Sequence, residues 1–220
     1  QFAGYTVVDL PTVLATHITE VLKNHAFEFV GRQETQNLLD THAKSEPKVV
    51  EELVPSLLSL GAVQKVLQNL LKELVSIRDL HTVLETLADV STITKEPDIL
   101  TEHVRQNLSR QITRQYQTSD GVLPLITMNQ DLENQIASAI QDSGQGAYLG
   151  LNPNMAQVII NGIDGMMEKF TINNFQPLLL CSPLIRPHVK KLVERFIPNL
   201  VVLSHNEVAQ DVRIEALGVV

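Results

Sequence analysis

The chain has 220 residues, 44% of them hydrophobic and 19% charged, with a formal net charge of −8. These proportions describe a soluble globular protein long enough to bury a core. The acidic balance and the absence of tryptophan exclude general nucleic-acid binding, which needs a cationic surface and stacking aromatics.

Thr6 to Val8 reads as a short β segment running into a helix, with Asp9 at the N-cap and Pro11 in the first turn, where a missing N–H costs little. Val13, Leu14, Ile18, Val21 and Leu22 are expected on that helix's buried face. The strand-like start has no partner nearby and the chain opens on Gln1, so it reads as a piece of a longer protein. No secretory signal is present and no window approaches the ~20 apolar residues that span a bilayer.

Gly31 breaks the chain ahead of a helix over Arg32 to Asp40. A linker at Ser45-Glu46-Pro47 leads into a helix from Val49 that Pro55 interrupts. Val63, Val66, Leu67, Leu70, Leu71 and Leu74 then recur at helical period, one apolar stripe on one face. Ser76 and Asp79 have the S-x-x-D spacing of a capping box, and Leu80, Val83, Leu84, Leu87 and Ala88 line the next helix. Pro97 opens a further helix, with Leu100, Val104, Leu108 and Ile112 inward and Arg105, Arg110 and Arg114 outward.

The polar stretch Gln117 to Gly121 marks a boundary, after which β and helical patterns alternate. Val122 to Met128 reads as a strand, Asp131 to Gln141 as a helix, Ser143 to Gly146 as a loop and Pro153 to Lys169 as one helix. In that last helix Val158, Ile159, Ile163, Met166 and Met167 are expected to be buried. Leu178 to Cys181 and Leu200 to Leu203 are fully apolar strands, joined by a helix from Pro187 to Phe196. That helix is expected to bury Ile185, Val189, Leu192, Val193 and Phe196. Strand, helix and strand make a parallel βαβ unit, and Val212 to Leu217 alternates like an edge strand. The fold class is therefore α/β with a large all-helical part: a helical subdomain followed by a small α/β sheet subdomain.

Catalytic and cofactor motifs lack their required settings. Gly144, Gly146 and Gly150 follow a helix rather than a strand, so they form no phosphate cradle. Cys181 sits inside an apolar strand, where a thiol behaves as a small hydrophobe; it is the lone cysteine, which fits a reducing compartment. His17 and His25 lie two helical turns apart and cannot share an ion. No metal, nucleotide or other cofactor is expected. Arg186, Lys190, Lys191 and Arg195 form a basic cluster on the helix that starts at Pro187, read either as a solvated face or as a docking surface for an acidic protein.

Four stretches resemble a known family: Gly4 to Asp40 (GYTVVDLPTVLATHITEVLKNHAFEFVGRQETQNLLD), Leu53 to Glu73 (LVPSLLSLGAVQKVLQNLLKE), Val75 to Asp89 (VSIRDLHTVLETLAD) and Arg186 to Val208 (RPHVKKLVERFIPNLVVLSHNEV). They are similar to the large export-gate subunit of type III secretion in its flagellar form. The resemblance implies a parent with an N-terminal membrane region and a C-terminal part at the cytoplasmic face of the bacterial inner membrane. It further implies a nonameric ring that receives export chaperones with cargo and cooperates with the export ATPase complex and the smaller switch subunit of the gate. On that basis residues 1–23 are the end of a first subdomain, 24–117 a helical third subdomain and 118–220 an α/β fourth subdomain. Thr6, in the GYTVVD motif, is placed at the edge of the chaperone cleft. Ring contacts are expected from Arg32, Glu34, Arg78 and Asp79, and a secondary docking face from Arg186, Lys190, Lys191 and Arg195.

The injectisome counterpart of the gate is one alternative, and GYTVVD and GRQETQNLLD look flagellar. A small α/β enzyme or ligand-binding domain over residues 119–220 is the other. It would need polar chemistry at the strand C-terminal ends, where Cys181-Ser182-Pro183 and Ser204-His205-Asn206 are joined in sequence by no carboxylate or glycine loop.

Overall fold

The computed structural model describes residues 9–143 and 146–220. The chain divides into two compact units, one ending at Asn107 and one spanning Leu108–Val220.

The first unit is helical. It runs α1 (Leu10–Asn24), a single 3-10 turn (Ala26–Phe29), α2 (Arg32–Ala43) and α3 (Pro47–Glu52). A widened turn over Leu53–Leu57 follows, kinked where Val54 is extended. Then come α4 (Leu60–Lys72), α5 (Leu80–Val90) and α6 (Pro97–Asn107). The apolar stripe of α4 behaves as its period dictates: Val63, Val66, Leu67 and Leu70 are all 0% exposed. Burying each contributes roughly 1.5–3 kcal/mol. Ser59 caps the helix, its hydroxyl accepting from the Ala62 N–H at 3.2 Å.

The stripe ends earlier than the period suggests. Leu74 lies past the helix with φ of 58° and 42% exposure, and Val75 takes the buried place at 2%. Two bonds impose this: Val75 N–H donates to the Leu70 carbonyl at 2.9 Å and Leu74 N–H to Leu71 at 3.0 Å. Together they form a Schellman closure with a leucine in the left-handed position that glycine usually fills. The next cap also differs from the expected box. Asp79, not Ser76, is the N-cap of α5, accepting from the Thr82 N–H at 3.1 Å and the Thr82 hydroxyl at 2.8 Å. The Ser76 hydroxyl accepts from Arg78 N–H in the preceding turn. Arg105, expected outward, is 1% exposed, because its guanidinium pairs with Glu73 at 3.2 Å beside the end of α4.

The second unit opens with α7 (Ser109–Tyr116). The helix expected to be continuous from Pro97 thus breaks at Leu108, and its second half belongs to this unit. Thr113 ties it in: its hydroxyl donates to the Glu207 carbonyl at 3.1 Å and accepts from Ala209 N–H at 3.0 Å. The polar turn before residue 122 closes on Gly121, whose φ of 74° suits glycine.

There follow β1 (Val122–Thr127), α8 (Gln130–Ser138), β2 (Ile140–Asp142), β3 (Ala147–Leu149), α9 (Pro153–Asp164) and α10 (Met167–Asn173). Next are β4 (Leu178–Cys181), α11 (Arg186–Val193), β5 (Val201–Ser204) and β6 (Arg213–Val219). A four-stranded parallel sheet has the order β5-β4-β1-β6, so β4, α11 and β5 form the expected βαβ unit and β6 is the expected edge. Ile140, read as part of α8, instead starts an antiparallel hairpin of β2 with β3. The helix read as Pro153 to Lys169 breaks at Gly165 and Met166. Val158 and Phe196, both expected inside, are 63% and 59% exposed, while Ile160 and Ile197 are buried. Val158 falls outside the face that Ile159 and Ile163 bury as expected, and Phe196 lies past the end of α11, where the turn carries Ile197 inward instead.

Candidate docking and ring surfaces

Three of the four cations of the expected basic cluster reach or approach the surface, and one does not. Lys191 and Arg195 are exposed, and Lys190 is half-buried with its ammonium donating to the Leu200 carbonyl at 3.0 Å. Arg186 is 1% exposed. It occupies the first position of α11, where the positive end of the helix dipole disfavours a cation. Its Nε lies 3.7 Å from the carboxylate of Glu207, itself 0% exposed, and Nη1 donates to the Val202 carbonyl at 3.4 Å. The charge is therefore spent inside the fold, and of the expected cluster only Lys190, Lys191 and Arg195 remain at or near the surface.

The strand ends do gather carboxylates, from places the local sequence does not show. Glu133 of α8, 7% exposed, accepts from the Ser182 N–H at 2.8 Å, just beyond β4. Glu207 accepts from the Ser204 hydroxyl at 3.0 Å, at the end of β5. Cys181 is buried at the end of β4, and its thiol leans on the Leu203 carbonyl at 3.8 Å. Between β1 and β6 the strand ends are tied by backbone, Asn129 N–H donating to Val220 and Val220 N–H to Thr127. These groups fasten elements to the sheet and leave a substrate little to bind. The glycine run is also a connector: Gly146 sits in the loop joining β2 and β3, accepting from Ser143, and no helix opens there; Gly144 lies outside the described residues.

Thr6 lies outside the described residues. Arg32 and Glu34 are exposed at the start of α2, where the Glu34 carboxylate accepts from the Gly31 N–H at 3.1 Å. Arg78 and Asp79 are exposed just before α5, Asp79 being its cap. Both acids thus have a local task, whereas among the described residues no ion pair joins Arg32 or Arg78 to a carboxylate.

Two surface features were not legible from spacing. The expected core face of α1 is uncovered: Leu14, Ile18 and Leu22 are 51–56% exposed and no residue of the helix is buried. Its amphipathic period is real, but no described element packs on it. The second feature is a cluster of His42, Glu46 and His81, whose ligating atoms lie within 4.8 Å of one another. Glu46 meets His42 Nε2 at 3.4 Å and also pairs with His81 Nδ1. The spacing of His42 and Glu46 was a usable hint, but only the packing of α3 against α5 brings in His81.

The chain thus consists of a helical unit and a parallel α/β unit, with exposed charges and an uncovered apolar helix among its described residues. The chain belongs to the FHIPEP family, which it matches over residues 1–213. It is 46% identical over 217 residues to the flagellar biosynthesis protein FlhA of Bacillus subtilis, covering 99% of this chain and 32% of that protein. The nonameric EscV cytosolic domain from the type III secretion system superposes with a TM-score of 0.78 at 33% identity, covering 94% of this chain and 61% of that one. The Chlamydia pneumoniae CdsV protein, in complex with CdsO, gives 0.86 at 26% identity, covering 99% and 64%. The chain thus spans about a third of the length of the curated relative.

Proposed function

We propose that this chain is a piece of the cytoplasmic part of a flagellar export gate, a docking and assembly module of type III secretion without catalytic activity. The observation that carries this reading is the 46% identity to a flagellar FlhA along 99% of the chain. The lower identity to EscV, 33%, favours the flagellar over the injectisome counterpart. In this reading the parent spans the bacterial inner membrane elsewhere; no helix among the described residues is long and apolar enough to do so.

The parent forms a ring, a reading supported by the nonameric assembly of EscV. Residues 24–107 supply the ring contact through Arg32 and Arg78, which reach carboxylates of a neighbouring copy, while Glu34 and Asp79 hold the helix starts that aim them. Membrane anchoring concentrates the subunits, so a small interface suffices and the isolated chain is monomeric at micromolar concentration. Residues 1–23 close a first subdomain, with the apolar face of α1 covered by its remainder and Thr6 at the edge of the chaperone cleft. Residues 108–220, which take in α7, form the fourth subdomain. Partners are export chaperones with cargo, the export ATPase complex and the smaller switch subunit of the gate, with no role for nucleic acid. That CdsV is found in complex with CdsO supports a further protein partner.

The test titrates a chaperone–cargo complex against this chain and against the whole cytoplasmic region of its parent. The reading expects the longer protein to bind at least about tenfold more tightly, a difference of roughly 1.4 kcal/mol. Equal affinity would show that the parts of the cytoplasmic region outside this chain contribute nothing to binding, and would overturn the reading. A stable nonamer of the isolated chain in light scattering would remove the weak-interface argument.

A further inference from the structure

The geometry points to a divalent transition-metal site of the zinc type formed by His42, Glu46 and His81, a role that the docking function neither uses nor needs. Two imidazoles and one carboxylate are a donor set suited to Zn²⁺, with a fourth position open to water. Their ligating atoms already lie within 4.8 Å of one another, and the His42–Glu46 pair stands at 3.4 Å. A tetrahedral ion with bonds of about 2.0–2.1 Å separates its ligands by roughly 3.4 Å. One pair is therefore already at the required spacing, and a small movement of the exposed His81 side chain completes the set.

The supports of the site are rigid where a metal site needs rigidity. The His42 carbonyl accepts from Ser45 N–H, Glu46 N–H and the Ser45 hydroxyl, at 3.0–3.1 Å. Those bonds lock the turn between α2 and α3 and so fix His42 relative to Glu46. Pro47 follows directly and restricts the backbone further. His81 is held on the first turn of α5, which Asp79 caps.

A second observation comes from His42 itself. Its side chain is 12% exposed, and Nε2 is buried without a hydrogen bond, since the approach of Glu46 at 3.4 Å lacks the geometry of one. An unsatisfied buried nitrogen costs free energy, and a bound cation would occupy it. Glu46 and His81, 45% and 54% exposed, leave the ion an entry path. A bound ion would tie the α2–α3 turn to the start of α5.

Isothermal titration of the full, untagged chain with ZnCl₂ in a non-chelating buffer tests this. One Zn²⁺ per chain is expected, with affinity at least about a hundredfold weaker in both His81→Ala and Glu46→Gln, since loss of even an outer-shell partner costs 10–100-fold. Both positions are exposed, so circular dichroism should show unchanged folding. Co²⁺ should give the visible bands of a tetrahedral nitrogen and oxygen site without a thiolate charge-transfer band. Absence of stoichiometric binding overturns the inference, as does binding that both variants retain or a Co²⁺ spectrum showing thiolate ligation.

Discussion

Removing the Glu207 carboxylate should destabilise the second unit more than any surface change on α11. Arg186 and Glu207 are 1% and 0% exposed, and their closest charged atoms are 3.7 Å apart. At that distance an effective dielectric of ~20 gives an attraction of about 4–5 kcal/mol. Breaking a buried pair by deleting one partner typically costs about 3–5 kcal/mol, because the remaining charge stays inside. Glu207→Ala strands the guanidinium at the N-terminus of α11, where the helix dipole opposes it, and removes the acceptor for Ser204. We expect a loss of about 3 kcal/mol, a large share of the 5–15 kcal/mol typical of a domain. Amide hydrogen exchange over β4, α11 and β5 reads that unit directly, and urea denaturation followed by circular dichroism gives a second measure. The double variant Arg186→Met/Glu207→Leu replaces the pair by apolar groups and should return to within about 1 kcal/mol of the parent chain. A Glu207→Ala chain within about 0.5 kcal/mol of the parent refutes the argument. So does an Arg186→Met variant that loses partner binding while keeping its stability, since that would return Arg186 to the surface.

Leu67→Ala in the fully buried stripe of α4 should cost about 2–5 kcal/mol, whereas Leu14→Ser on the uncovered face of α1 should leave urea stability within about 0.5 kcal/mol; similar losses would mean that α1 is packed in this chain. Asp79→Ala should cost about 1 kcal/mol and Ser76→Ala less than half of that, and thermal melts showing the reverse order would restore Ser76 as the cap. Lys191→Glu/Arg195→Glu should weaken docking of an acidic partner and flatten its salt dependence, measured by titration at two ionic strengths, with the melting temperature unchanged. Arg78→Glu in the full-length parent should impair motility, and normal swimming would exclude that residue from the ring contact.

Much of the fold was legible in the sequence because its signals are local. The stripe of α4, the turn at Gly121, the apolar strands β4 and β5 with a helix between them, and the alternating edge strand β6 all follow from period, turn chemistry and length. The long motifs that resemble the export-gate family are likewise a property of the chain itself. The differences lie where a helix ends or is capped, or at the edge of its apolar face. Val158 stands beside Ile159 in the sequence, but the core takes Ile159 and Ile163 and leaves Val158 63% exposed. Leu74 fits the period of α4, but the Schellman closure ends the helix and hands its place to Val75.

Charge placement was decided by tertiary structure. A run of Arg186, Lys190, Lys191 and Arg195 reads as one basic face, yet Glu207, distant in sequence, draws Arg186 into the interior and leaves the others outside. The same reason hid the strand-end carboxylates and the cluster of His42, Glu46 and His81. A helix or strand is specified by neighbours a few positions apart, so its period survives in the sequence. A site built from residues brought together by packing leaves no period, and it exists only once the elements that carry them meet.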